Sequence, residues 1–313
     1  MVLYGYWRRR VLSCLLLFAL WVTPLQASDG VETFNDIPLT DLSGQTIQAK
    51  TLITGKPTYL KFWASWCQPC LKQMPHFQSV QETFNDTLTV IAVNIDLNDS
   101  PADIARVKEK YGLTMPILMD TTGRLAQRLN FIGTPYHVLM DTTGQVRYQS
   151  HEADQALDDK LQQLAKQSIA GDALALYSES HDAPSDITDS TPTALWFTST
   201  WCDWYPETSR PAMSQNCFQS NTHISKLMAD FPQLQWQGVI SRLWTGEKEL
   251  EEFREKYQLT LPLSLDDNDK MQVRHHVKNH PTLIIFNAGK ELMRIDAFGD
   301  YSQLKAQLAE LQL

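Results

Sequence analysis

Three scarcities bound this sequence before any motif is considered. Cysteine is rare, with five in 313 residues; that is too few for a disulfide-stapled scaffold, so the cysteines are better read as chemistry than as scaffolding. Basic residues are in deficit, 27 Lys and Arg against 36 Asp and Glu. Long apolar runs are missing too: the uncharged stretch Val11 to Thr23 is 13 residues, whereas a membrane span needs about 20. What remains is ordinary globular material, 43% hydrophobic and 20% charged, in a length that suggests two domains.

The first 27 residues stand apart. Arg8, Arg9 and Arg10 precede the apolar run, and Pro24-Leu25-Gln26-Ala27 places a small residue before Ser28. This is the pattern of a cleaved signal peptide over residues 1–27, with an uncleaved anchor as the alternative. Cys14 lies inside the run and leaves with it. Cleavage leaves 24 basic and 36 acidic residues, a net charge of −12. That argues against nucleic acid as a partner and against adsorption to anionic lipid, and no stable membrane insertion is expected after cleavage. Cys67, Cys70, Cys202 and Cys217 remain, in a compartment where disulfides persist.

Self-comparison is informative. Leu88 to Pro116 and Leu234 to Pro262 are both 29 residues long, 146 positions apart. At that offset Glu109-Lys110-Tyr111 meets Glu255-Lys256-Tyr257, Asp120 meets Asp266, Arg128 meets Arg274, and Thr134-Pro135 meets His280-Pro281. Upstream, Trp66-Cys67 meets Trp201-Cys202 at an offset of 135, so the second copy carries 11 extra residues, and Cys217 falls among them. The ordered set of matches reads as a tandem duplication.

Both halves follow one plan. Thr58 to Trp63 is a short buried strand by its length and apolar run. A helix from Cys67 to about Asn85, interrupted by Pro75, follows, then a strand from Leu88 to Ile95 and a helix from Pro101 to Tyr111. A hairpin around Asp141-Thr142-Thr143-Gly144 and a helix from Asp154 to Ser168 close the unit. The second half repeats it with Thr193 to Phe197, Leu234 to Ile240, Glu247 to Tyr257, Leu283 to Phe286 and Tyr301 to Leu311. The expected fold is α/β, each half a mixed sheet with helices on both faces. Residues 28–170 form the first domain, 171–192 a polar linker and 193–313 the second. A possible hairpin around Ser43-Gly44 precedes the first strand.

The strongest signal is Lys61-Phe62-Trp63-Ala64-Ser65-Trp66-Cys67-Gln68-Pro69-Cys70. A Cys-x-x-Cys that follows a buried strand and opens a helix places its first sulfur among unpaired backbone N–H groups, which favour a thiolate. The second sulfur, one turn on, is placed to attack a mixed disulfide. Half of a zinc site is the bland alternative, but no second Cys or His pair follows at a suitable spacing. Redox chemistry at Cys67 and Cys70 is expected, with no cofactor and no metal, because the electrons reside on sulfur.

The motif Phe62 to Cys70, Pro75, and Gly133-Thr134-Pro135 before a strand ending in Asp141 resemble the thioredoxin superfamily, and within it the exported TlpA/ResA-like thiol-disulfide oxidoreductases. The likeness covers residues 37–167 well and the second half at lower fidelity. It implies two tandem thioredoxin-like domains and a periplasmic location, the alternative being an inner-membrane anchor facing the periplasm. It further implies a cis Thr134–Pro135 peptide facing Cys67, with Trp66, Thr134 and Pro135 meeting the substrate. Exported protein thiols and disulfides are the implied partners, with recharging by a membrane thiol-reducing system of the DsbD type. Two positions depart from the family. Lys61 stands where an acidic or amide residue is usual, and Gln73 where some relatives have Glu, so the usual proton acceptors for the resolving thiol are missing. For Lys61 the simpler expectation is a head that reaches solvent. Gln68-Pro69 lacks the imidazole typical of strong oxidants, which favours reduction or exchange.

In the second half Trp201-Cys202-Asp203-Trp204-Tyr205 occupies the motif position, with Tyr205 replacing the resolving cysteine. Three readings stay open: Cys202 pairs with Cys217, Cys202 is a lone reactive thiol beside His280 and Pro281, or the domain is a redox-silent binding module. His275 and His276 are expected on a solvated face. Trp201, Asp203 and Trp204 are either packing or a recognition patch. For the whole chain, a non-enzymatic client-binding module is the alternative to an oxidoreductase. A thiol peroxidase is disfavoured, because Ala64 stands where that class needs Thr.

Overall fold

In each half, one strand with every residue buried organises the sheet. The computed structural model describes residues 34–169, 171–176 and 191–311. The expected signal peptide and residues 177–190 of the expected linker lie outside the described residues. In the first half β1 (Pro38–Asp41) and β2 (Thr46–Gln48) pair as the hairpin expected around Ser43-Gly44. There follow β3 (Thr58–Trp63), α1 (Gln68–Lys72), α2 (Met74–Phe84), β4 (Thr89–Asn94), α3 (Pro101–Tyr111), β5 (Ile117–Met119), α4 (Arg124–Arg128), β6 (Tyr136–Met140), β7 (Val146–Ser150) and α5 (Gln155–Ala165). The second half runs β8 (Thr193–Thr198), α6 (Pro211–Asp230), β9 (Gln235–Ser241), α7 (Glu247–Tyr257), β10 (Leu263–Asp266), α8 (Lys270–Arg274), β11 (Thr282–Asn287), β12 (Lys290–Ile295) and α9 (Tyr301–Ala309). The fold is mixed α/β with two sheets, ordered β2-β1-β5-β4-β3-β6-β7 and β10-β9-β8-β11-β12.

β3 lies parallel to β4 and antiparallel to β6, and β8 lies likewise between β9 and β11. All six residues of each are buried, which is why both read as continuous apolar runs rather than as alternations. The helices that follow β4 and β9 correspond residue for residue. α3 buries Ile104 and Val107, and α7 buries Leu250 and Phe253, 146 positions later. Burying such a side chain contributes about 1.5–3 kcal/mol. Ser100 and Asp103 form a capping box at the start of α3, and Gly112 ends it at φ 60°.

Lys61 corrects an expectation. Its side chain is fully buried and does not reach solvent. The reason is topological: β3 is covered on both faces and flanked by β4 and β6, so a lysine at its centre has no path outward. His275 is a second correction. It is half-buried, tilted against Phe197 and Phe286, and burial lowers its imidazole to about 4. His276 is exposed, as expected. Among the described residues no helix is long and apolar enough to cross a membrane.

Candidate active site

Cys67 and Cys70 form a disulfide with S–S 2.07 Å and Cα–Cα 5.2 Å. Cys67 is the N-cap of α1, and its Sγ accepts a 3.2 Å hydrogen bond from the Cys70 amide. That amide remains available to a Cys67 thiolate once the disulfide is reduced, and a hydrogen bond to the charged form lowers a thiol's pKa. α1 stops at Gln73, which also begins α2 and has Pro75 just behind it. Both cysteines and Trp66 are fully buried.

Below the pair runs a chain of buried polar groups. Lys61 Nζ donates to Gln73 Oε1 at 2.7 Å, and His137 Nε2 reaches the same oxygen at 3.1 Å. Because that oxygen only accepts, His137 carries its proton on Nε2, and its Nδ1 accepts from the Tyr59 hydroxyl at 2.7 Å. Burial and then the Lys61 charge push His137 down to about 2, so it is neutral. Burial alone lowers Lys61 to about 7. The two positions where the family pattern is broken, Lys61 and Gln73, are therefore bonded to each other, and the Gln73 backbone N–H bonds the Cys70 carbonyl. Through Nε2 it also donates to the His151 carbonyl at 3.4 Å, and His151 Nδ1–H donates to the Pro135 carbonyl at 2.7 Å. Both X-Pro bonds singled out in the sequence, Thr134–Pro135 and His280–Pro281, are cis.

The second half lies against this site. Trp201 stacks on Trp66 with ring centroids 4.8 Å apart, and Trp244 meets both rings, at 5.3 Å and 5.9 Å respectively. The Tyr205 hydroxyl accepts from the Gln68 amide at 3.0 Å, next to Cys67. Trp244 Nε1 donates to the Thr134 carbonyl at 3.1 Å. Gly133 permits this approach, since a Cβ there would lie 3.1 Å from the indole. Position 98, which is 146 residues before 244, does the reciprocal job: Asn98 Nδ2 donates to the His280 carbonyl at 3.0 Å, and its Oδ1 accepts from the His280 amide at 3.1 Å. Asn98 and Trp244 share a left-handed backbone, at φ 53° and 56°.

Charged contacts surround the apolar centre. Arg210 pairs with Asp99 at 3.1 Å and Asp103 at 3.3 Å, and also bonds Ser65. Lys278 pairs with Asp96 at 3.0 Å. Burial raises the Asp99 carboxyl, opposed by hydrogen bonds from Ser65 and Asn94 and by Arg210. A groove of about 600 Å³ stays open beside the contact, lined by Pro69, Gln73, Pro135, His151 and Arg242, with exposed Ile132 at its rim.

Cys202 is bonded to Cys217 of α6, and both are buried in the same apolar cluster as Cys67 and Cys70. His280 does lie at this second site, but it touches sulfur through its carbonyl, which is 3.6 Å from Cys217 Sγ. Its ring pairs with Ser199 at 2.6 Å, and burial lowers it to about 3. Trp201 is buried packing, Asp203 is paired with Lys256 at 2.5 Å and with Tyr257, and Trp204 is exposed. Sequence reasoning did not identify Asn98, Arg210 or Trp244 as site residues, nor that Tyr205 of the second motif reaches Gln68; the 146-residue offset relates Trp244 to Asn98, but no periodicity reports a contact between halves.

Residues 32–149 match the AhpC/TSA family. Over 89 residues the chain is 37% identical to the thioredoxin-like protein YneN of Bacillus subtilis, covering 28% of this chain and 52% of that protein. Over 115 residues it is 28% identical to the thiol-disulfide oxidoreductase ResA of Bacillus subtilis, covering 36% and 63%. The chain thus spans about half to two-thirds of the length of these relatives. Among solved structures it is similar to StoA from Bacillus subtilis, 25% identical with a TM-score of 0.34, over 41% of this chain and 92% of that one.

Proposed function

We propose that this chain, whose first half is similar to ResA and YneN, is a periplasmic thiol-disulfide oxidoreductase of the TlpA/ResA-like branch of the thioredoxin superfamily. It reduces or exchanges disulfides in exported proteins. The observation that carries this reading is the Cys67–Cys70 disulfide at the opening of a helix, with the Cys70 amide on Cys67 Sγ.

In the reducing direction the Cys67 thiolate attacks one sulfur of a client disulfide and forms a Cys67–client bond, and the other client sulfur leaves as thiolate. Cys70 then attacks Cys67 Sγ, the second client thiol departs, and two electrons have passed from the dithiol to the client. The disulfide in the structure is the oxidised end of that cycle. A membrane thiol-reducing system of the DsbD type is the proposed source of new electrons, and Thr134 and Pro135 the proposed edge for the client chain. Lys61, neutral above about pH 7, is the buried base joined through Gln73 to the helix that carries Cys70.

The test is disulfide exchange with an unfolded disulfide-bonded protein, followed by thiol mapping by mass across a graded dithiothreitol potential. Cys67–Cys70 should titrate reversibly, and Cys67→Ser should abolish exchange. Full exchange by Cys67→Ser would refute the assignment and support a client-binding module. Ala64 remains against a peroxidase reading.

A further inference from the structure

We propose that the second half is a reversible cover over the Cys67–Cys70 site, and that its contacts stand in for those of an extended client chain. This rests on the reading above in taking Cys67 as the group that attacks a client. Attack needs a client sulfur in contact with Cys67 Sγ, yet both active-site cysteines are fully buried. The arrangement seen is therefore closed to protein disulfides, and the site works only when the halves part.

What closes it is specific. Trp244 supplies an N–H to the Thr134 carbonyl and brings the Cδ1 and Nε1 atoms of its indole against Gly133. Tyr205 takes the Gln68 amide, and Trp201 covers Trp66. A chain that displaces the cover must replace these contacts. The partner that fits is an extended segment beside a disulfide, with a backbone N–H for Thr134 and an apolar or aromatic side chain for the surface left by Trp244. A disulfide within a rigid helix offers no free backbone N–H and fits poorly.

The contact is built to separate. Its centre is a few aromatic rings, and polar contacts flank them: Arg210 on the buried Asp99 and on Asp103, Lys278 on Asp96, Asn98 on His280, and Gln127 Nε2 on the Asn268 carbonyl at 2.8 Å. Contacts between domains of one chain are more polar than obligate interfaces, and relative motion is their default.

The experiment measures alkylation of Cys67 by iodoacetamide in the fully reduced full-length protein, resolved by peptide mass mapping. It needs no client, so failure of the cover and failure of the oxidoreductase reading are distinguishable. Trp244→Ala should speed alkylation about tenfold or more, as expected when a closed state that dominates the population is destabilised. Asn98→Ala, on the opposite partner of the contact, should act in the same direction and serves if Trp244→Ala does not fold. Zero-length carbodiimide coupling of Lys278 to Asp96, 3.0 Å apart, should hold Cys67 in the slow state, and Lys278→Ala should escape that effect. Wild-type Cys67 that reacts as fast as in the guanidinium-unfolded chain, unchanged by either variant or by coupling, would overturn the proposal.

Discussion

Replacing Lys61 by Met tests the electrostatics of the buried polar chain directly. Burial lowers the ammonium from its ordinary 10.5 to about 7. At 1.36 kcal/mol for each tenfold change in proton affinity, keeping the side chain charged in the fold costs about 5 kcal/mol. The folded state binds fewer protons than the unfolded one between about pH 7 and 10.5. The penalty is thus complete below about pH 7 and disappears as pH rises through the unfolded value. Met fills a similar volume without charge, but removes the hydrogen bond to Gln73, which contributes about 1 kcal/mol. Gln73 Oε1 keeps its bond from His137, which is neutral throughout this range. Lys61→Met should therefore exceed the wild type by about 3–4 kcal/mol at pH 6, and the two should converge to within about 1 kcal/mol by pH 10. The assay is urea unfolding of the oxidised proteins at intervals from pH 6 to 10, where titrations common to both cancel in the difference. Parallel curves, with the wild type as stable as Lys61→Met at pH 6, would show that the ammonium is solvated and that the buried chain is wrongly described.

Two further outcomes follow from other groups. Asp120 is buried, accepts from the Ala126 amide at 2.7 Å, and is raised by burial to about 6. Its ionisation therefore costs stability as pH rises from about 4 to 6, and Asp120→Asn should be the more stable by about 2 kcal/mol at pH 8, with no advantage below pH 4 in thermal unfolding. Cys202 and Cys217 are 15 residues apart, so a Cys202→Ser, Cys217→Ser double variant should lose about 3 kcal/mol of stability in urea by the chain-entropy account. It should keep exchange at Cys67; loss of exchange with the fold intact would assign working chemistry to the second pair.

Much of the fold is legible in the sequence where local signals and burial agree. α3 and α7 have caps, a polar face and an apolar pair at matching spacing, and both occupy the expected residues. β3 is legible as an apolar run. β5 and α4 are not, because at three and five residues they are too short to show a period. α6 is missed for another reason: its 20 residues bury Ser214, Ser220 and Asn221 beside the apolar ones, Ser220 bonding the Trp196 indole at 2.7 Å. At the site, Cys67, Cys70 and the two prolines follow from motif and repeat. Lys61 was misjudged because snorkelling is a property of surface strands, and whether a strand is central is decided by pairing partners far along the chain. The contact between halves is likewise a property of surfaces, and Trp244 in a sequence looks like any core aromatic.

The stacking of Trp66 on Trp201 joins two surfaces carried by one chain. A covalent tether holds such surfaces at an effective concentration of order millimolar. An intrinsic dissociation constant of only about 0.1 mM, or about 5.5 kcal/mol, then keeps the halves together about nine-tenths of the time. Such a weak contact would not survive between separate molecules at micromolar levels, yet dilution leaves this one intact. A client competing for Thr134 meets the same occupancy at every protein concentration, and its apparent affinity is about tenfold below its affinity for the open face.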